Sequence, residues 1–308
     1  MSRYGVSRMN DRQFRALARP YIVREGRGFR LKAFDPAGPG RSASHQGAKK
    51  FLKKSVEALS ELQEKLYAQD RWGVLLIFQA MDAAGKDSAI KHVMSGIDPK
   101  GCQVYSFKRP SDEELDHDFM WRTSKCLPER GRIGIFNRSY YEETLVVRVH
   151  PEFLGRQKLP TGLMTPRIWR ERFQDINAFE RYLTRNGFVI RKFFLNVSRA
   201  EQRRRFLERL DRPEKNWKFS MGDLGERARW RAYMSAYEET IRYTATPHAP
   251  WVVIPADDKK FARTVVAAAV IDALNGLNLQ FPALDADQRR DLGRARRLLQ
   301  QESRRTKS

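Results

Sequence analysis

The stretch that decides the fold is Val74-Leu75-Leu76-Ile77-Phe78-Gln79-Ala80-Met81-Asp82-Ala83-Ala84-Gly85-Lys86-Asp87-Ser88-Ala89-Ile90. Its first five residues form an unbroken apolar run, the mark of a strand buried on both faces of a parallel sheet. A turn of small residues and then a helix-compatible segment follow. Small residues let backbone N–H groups converge on phosphate oxygens, and the positive end of the new helix adds to the attraction. Lys86 is placed to reach outer phosphates. Against the spacing G-x-x-x-x-G-K-[ST], Ala80 stands at the first glycine and Asp87 at the hydroxyl position, so the usual hydroxyl ligand for Mg²⁺ is missing. Asp82 offers an oxygen instead, and a hard cation bridging phosphates needs only one or two carboxylates plus water. A plain strand-to-helix turn is the competing reading; the position between a buried strand and a helix favours a phosphate loop.

Working outward, similar apolar runs recur at Val104–Phe107, Ile133–Phe136, Phe188–Val197 and Trp251–Pro255. Between and after them lie helix-compatible stretches at Ser111–Lys125, Pro166–Arg185, Arg199–Leu210, Leu224–Tyr243 and Lys259–Leu274. Upstream, Leu52, Val56, Leu59, Leu62, Leu66 and Tyr67 recur at three- and four-residue spacing, which predicts an amphipathic helix over Lys49–Asp70. Strands alternating with helices imply an α/β fold, a mostly parallel sheet with helices on both faces. Residues 1–47, with the turn-rich Asp35–Gly47, read as an extended N-terminal arm, 48–284 as the α/β domain, and 285–308 as a basic helical tail. The tail carries eight basic residues, Arg289, Arg290, Arg294, Arg296, Arg297, Arg304, Arg305 and Lys307, and reads as a solvated or interface helix.

The 308 residues hold 59 Lys and Arg against 37 Asp and Glu, so the formal charge is 59 − 37 = +22. Such an excess calls for a polyanion: nucleic acid, anionic lipid, or a phosphate-rich substrate. Two cysteines, Cys102 and Cys126, exclude a disulfide framework, and the five histidines show no metal-ligand spacing. The N-terminus lacks the apolar segment of a secretory signal, and no apolar run is long enough to span a bilayer. A cytoplasmic location is the expectation.

The third strand ends in Phe136-Asn137-Arg138-Ser139-Tyr140-Tyr141-Glu142-Glu143. Ligands of open parallel sheets bind beyond the carboxyl ends of strands, so these polar groups should share a crevice with the phosphate loop. Alternatively Arg138 pairs with Glu142 or Glu143 and caps the next helix. The two roles are compatible.

Four segments, QAMDAAGKDSAIKHVMSG (79–96), SFKRPSDEELDHDFMWR (106–122), GIFNRSYYEETLVVRVHPE (134–152) and DRPEKNWKFSMGDLGERARWRAYMSAYEE (211–239), resemble the polyphosphate kinase 2 family. The likeness is greatest to the subgroup that phosphorylates both nucleoside mono- and diphosphates. The resemblance implies a P-loop kinase fold similar to thymidylate kinase, with a helical lid near residues 201–225. It also implies transfer of a terminal phosphoryl group between inorganic polyphosphate and a nucleotide, with Mg²⁺, or Mn²⁺ in its place. Asp82 and Lys86 match the family's phosphate-loop pair. Asn137 and Arg138 fall at its second motif, where many relatives carry Asp-Arg; the lost charge leaves Asp82 as principal metal ligand, with Glu142 compensating. Gly85, Lys86, Asp87, Ser88, Lys91 and Arg138 then face phosphate, together with the lid residues Arg203, Arg204, Arg205, Arg209, Lys215 and Lys218. At 3.6 residues per turn Arg205 and Arg209 share a face, whereas Arg203 and Arg204 turn partly away. Lys108 and Arg122 are expected at the nucleotide's phosphates, unless Arg122 serves only as an ion-pair partner of Asp118. A homo-oligomer is expected, with no specific nucleic acid and no membrane as partner. Two readings compete: a nucleoside monophosphate kinase that takes ATP as donor, because a fold does not fix its donor, and a non-catalytic nucleic-acid-binding protein, for which the recognition motifs are missing.

Overall fold

The computed structural model describes residues 11–39 and 48–305. In chain order the principal elements are α1 (Asp11–Ala18), β1 (Ile22–Val23), α2 (Ala48–Gln69), β2 (Gly73–Gln79), α3 (Lys86–Met94), β3 (Cys102–Ser106), α4 (Asp112–Leu115), α5 (Trp121–Ser124) and β4 (Ile133–Asn137). They continue with α6 (Val146–Val149), α7 (Ile168–Arg185), β5 (Phe188–Asn196), α8 (Arg199–Leu210), α9 (Pro213–Asn216), α10 (Met221–Ala228), α11 (Trp230–Thr244), β6 (Trp251–Pro255), α12 (Lys259–Asn275) and α13 (Ala286–Arg305). The six strands form one sheet in the order β1-β6-β5-β2-β4-β3, parallel throughout except for β1.

Every residue of β2 and of β6 is buried, as a strand covered on both faces requires. β3, on the edge, alternates, and Val104 looks out. The Ala- and Val-rich α12 packs against α1, α2 and α3 on one side of the sheet, while α7 lies on β5 and joins α11 in a second layer. After β2 the chain moves outward to β3 and returns through β4, then crosses to β5 and β6 on the other flank. The carboxyl ends of β2, β4 and β5 therefore surround the point where the strand order reverses, the usual crevice of such sheets. Register brings the ends level: Phe78 of β2 lies opposite Asn137 of β4 and Phe193 of β5.

Three expectations need correction. The arm is not extended over its described part: α1 packs on α12, Phe14 and Ala18 are buried, and β1 pairs antiparallel with the edge of β6. A few apolar anchors separated by polar residues suffice to dock a segment whose overall composition looks like a loop. Residues 1–10 and 40–47 lie outside the described residues, as do the last three of the tail. The helix expected over Ser111–Lys125 is two short helices. A capping box between Ser111 and Glu114 starts α4, and the Asp118 carboxylate accepts the Met120 N–H in a turn before α5. The helix expected over Leu224–Tyr243 is likewise divided, into α10 and α11, at Arg229.

Candidate active site

The turn from β2 to α3 owes its shape to two residues with positive φ, Ala83 at 60° and Gly85 at 105°. Glycine adopts this region without strain, and alternating handedness turns successive N–H groups into one concavity. Inside it the Lys86 ammonium reaches back to the Ala80 carbonyl at 3.3 Å. Burial pushes its pKa down, and so does the neighbouring Arg138 charge; Asp82, Glu142 and Asp87 pull it back up.

Arg138 follows directly on β4 and has φ 66°, an uncommon conformation for a side chain of this size. Its N–H bonds to the Phe78 carbonyl, so the end of β4 is stitched to the end of β2. The guanidinium lies 3.4 Å from the Asp82 carboxylate. The negative charge of Glu142 is the largest influence raising its pKa, with Asp82 adding to it. Lys86, Arg138, Asp82 and Glu142 thus form one mixed-charge cluster at the mouth of the loop. Asn137 donates to Asp87 at 3.0 Å, joining the second motif to the first turn of α3.

Behind this cluster sits a fully buried network. Lys192 of β5 donates to Glu180 at 2.7 Å, to the Tyr141 hydroxyl at 3.0 Å and to the Thr244 carbonyl at 2.7 Å. The other Glu180 oxygen accepts from Tyr140 and Tyr141. Two tyrosines three and two places after Arg138 are thereby anchored to the core. Glu143 makes a second buried pair with Arg172, to which Gln157 bonds.

The other expected residues are distributed as follows. Ser88 has its hydroxyl engaged by Arg263 of α12, at 2.6 and 3.0 Å, rather than turned to the loop. Lys91 and Lys108 are exposed. Arg122 donates to the Lys108 carbonyl at 2.8 Å and pairs with Glu114 at 3.3 Å, so its ionic partner is not Asp118. In the expected lid, α8 to α10, Arg203 and Arg204 face outward, and Arg204 pairs with Glu201 and Glu208. Arg205 departs from expectation: it is buried and donates to four main-chain carbonyls and to the Glu201 carboxylate, with no N–H left over for phosphate. Arg209 pairs with Asp223 at 3.3 Å and donates to the Lys218 carbonyl. Lys215 pairs with Glu208, and the Lys218 ammonium lies over the ring of Trp217, 4.9 Å from its centroid.

Several participants went unnoticed in the sequence. Asp223 faces the cluster from α10; burial raises its pKa, and the Asp82 charge adds to the effect. Burial pushes the hydroxyl of Tyr237 on α11 well up, and the charges of Glu142 and Asp82 add to the effect. Gln202, wholly buried on α8, donates to the Asp82 carbonyl at 2.9 Å. His150 bonds through Nε2 to Glu226 at 2.9 Å, tying the loop after α6 to α10. A lysine inside an otherwise apolar strand, Lys192, was the readable signal for the buried network, since a charge so placed must find a partner.

A positively charged nest at the reversal point of a parallel sheet, with a carboxylate–guanidinium cluster at its mouth, defines the class of α/β phosphoryl-transfer kinases. The family model for polyphosphate kinase 2 matches residues 42–282, and the chain belongs to this family. It is 52% identical over 250 residues to the ADP-polyphosphate phosphotransferase of Rhodopseudomonas palustris, covering 81% of this chain and 86% of the other. It is 42% identical over 266 residues to the AMP/ADP-polyphosphate phosphotransferase of Meiothermus ruber, with coverage of 85% and 94%. The crystal structure of polyphosphate kinase 2 from Arthrobacter aurescens TC1 superposes with a TM-score of 0.78 at 41% identity, over 88% of this chain and 95% of that one.

Proposed function

We infer that the protein transfers the terminal phosphoryl group of inorganic polyphosphate to AMP and ADP. The observation that carries this reading is the cluster of Lys86, Arg138, Asp82 and Glu142 at the mouth of the phosphate loop, in a chain of this family. An oxygen of the nucleotide's terminal phosphate attacks the end phosphorus of the polymer. The bond to the penultimate phosphate breaks, and the polymer, one unit shorter, keeps the electron pair. Little covalent work is asked of the protein, so positioning and charge neutralisation carry the rate. Lys86 and Arg138 neutralise the transferring group, and the N–H array of the loop holds its oxygens. The attacking phosphate is already anionic; Asp82 is the base where one is needed. Lys108 and Arg122 lie toward the nucleotide, while Lys91, Arg209, Lys215 and Lys218 line the polymer's path.

Mg²⁺, or Mn²⁺, fits the donor set. The described residues hold no cluster of three His, Cys, Asp or Glu side chains suited to a metal, but the Asp82 carboxylate lies 3.4 Å from Arg138 and the Glu142 charge acts on the same guanidinium, and one or two carboxylates suffice when phosphates and water complete the shell. Bound there, the cation would neutralise charge on the phosphates of both substrates.

No helix among the described residues is long and apolar enough to cross a membrane. We place the protein in the cytoplasm, acting on free polymer and nucleotide, as a homo-oligomer; the exposed Leu292, Leu298 and Leu299 of α13 support self-association.

Purified protein, Mg²⁺, AMP or ADP, and either long-chain polyphosphate or ATP as sole donor test the reading. Conversion of AMP to ADP and then ATP with polyphosphate is expected. Turnover with ATP alone would replace this reading with a nucleotide kinase, and salt-sensitive nucleic-acid binding without any turnover would remove the enzyme altogether.

A further inference from the structure

The phosphate loop is held from behind by a single helix. Three consecutive loop carbonyls, those of Asp82, Ala83 and Ala84, each accept a hydrogen bond from a side chain of α8. Gln202 donates to Asp82 at 2.9 Å, and one terminal nitrogen of Arg205 donates to Ala83 at 3.0 Å and to Ala84 at 2.7 Å. The second terminal nitrogen reaches the carbonyls of Ala256 at 2.6 Å and Asp257 at 3.0 Å, just beyond β6. Its Nε–H goes to Glu201 at 2.7 Å. A guanidinium has five N–H donors, and all five are spent on the protein.

A trans peptide points its C=O and its N–H in opposite directions. Carbonyls drawn toward α8 therefore turn the paired N–H groups, those of Ala83, Ala84 and Gly85, away from α8. Ala84 uses its N–H in a turn to the Met81 carbonyl; those of Ala83 and Gly85 point into the concavity. The positive φ at Ala83 is the conformation this arrangement imposes on a residue with a side chain. Burial raises the stakes, because Gln202 and Arg205 are 0% and 5% exposed and five carbonyls would lose their partners together. Gln202 also reaches the expected lid: its side-chain oxygen accepts from Arg227 of α10 at 2.8 Å.

We propose that Gln202 and Arg205 are positioning residues that set the phosphate loop's N–H array and fasten α8 to it. The proposal rests on the phosphotransfer reading above and assigns Arg205 a role distinct from clamping the polymer. A clamp is a point charge that lysine can partly supply, and it matters more as the polymer lengthens. A brace needs a planar fork reaching carbonyls on two sides, which lysine cannot supply, and it acts on every donor alike.

Steady-state kinetics of Arg205→Lys, Arg205→Ala and Gln202→Met, with tripolyphosphate and with long-chain polyphosphate, separate the two. The brace requires kcat to fall by about 10²-fold in both Arg205 variants, and by about 10-fold in Gln202→Met, with the same factor for both donors. KM for AMP should stay within about twofold, since the loop rather than the acceptor site is disturbed. Recovery by Arg205→Lys, or a loss confined to the long donor, would overturn the proposal in favour of a clamp. Wild-type kcat in Gln202→Met with both donors would overturn it for the loop as a whole, and this variant decides the matter should the Arg205 variants fail to fold. A wild-type protein inactive with either polyphosphate would instead count against the phosphotransfer reading itself.

Discussion

Lys86 and Asp82 sit on a turn outside the core, which separates their chemistry from the stability of the fold. Alanine at either should reduce phosphotransfer by about 10²–10³-fold, the cost of a lost preorganised charge contact, while thermal unfolding shifts little; turnover assays and melting curves on the same preparations check both halves. Lys86 also makes a pH prediction. Its pKa is held below the ordinary lysine value by burial and by Arg138, while the negative charge of Glu142 opposes the fall. In the proposed role Lys86 acts as the ammonium, so kcat/KM should decline at alkaline pH as that proton is lost. Glu142→Gln removes a charge that supports the ammonium, lowers the Lys86 pKa further and should move this alkaline limb to lower pH. An unmoved or raised limb would show that the two groups do not communicate. At this scale the sequence was informative wherever a motif fixed the backbone, as at Gly85 and Lys86. It was misleading for Arg205, because spacing of i and i+4 puts two arginines on one helix face without saying whether that face meets solvent or buried carbonyls.

Among the elements, β2 and β6 were legible because burial on both faces leaves long runs of apolar side chains, Val74–Phe78 and Trp251–Pro255, to be read. β1 was not, since two residues carry no period, and the break between α10 and α11 was not, since it lies where Glu226 bonds back to His150 and Tyr233 across the chain. β5 combines both cases. Its apolar run announced a strand, yet Lys192 within it makes a wholly buried pair with Glu180. Burial pulls the two pKa values toward neutrality, raising that of Glu180 and lowering that of Lys192. Removing one partner strands the other charge without compensation: Lys192→Met should destabilise the fold by about 3–5 kcal/mol, and the double variant Lys192→Met with Glu180→Leu should recover part of that loss. Urea unfolding of the three proteins measures both. Because Glu180 also receives the Tyr140 and Tyr141 hydroxyls, the single variant should loosen the backbone next to Arg138, and hydrogen exchange over 138–144 would register it.

For the molecule as a whole, the formal charge of +22 makes the encounter with a polyanion a matter of ionic strength. A long polymer engages many cations at once and a short donor few. Raising salt from about 50 to about 200 mM should therefore increase KM for long-chain polyphosphate far more than KM for tripolyphosphate, as counterion release requires. Equal increases would locate the useful charge in the loop alone. Composition revealed this charge at once but not its layout, since many of the basic side chains, such as Arg204, Lys215 and Arg242, are already paired within the protein.

Trp217 stands 78% exposed on the segment between α9 and α10, with the Lys218 ammonium over its ring. The chain has six tryptophans, and the other five are at least partly covered, Trp251 completely. The segment between α9 and α10 thus carries its own optical reporter. Collisional quenching by acrylamide should act first on this indole, and, on the proposal that this segment closes as a lid, added polyphosphate should protect it. Trp217→Phe should remove the most quenchable fraction and leave the remaining emission unresponsive to polymer, so stopped-flow fluorescence of the unlabelled protein would time any closure of this segment against the chemical step.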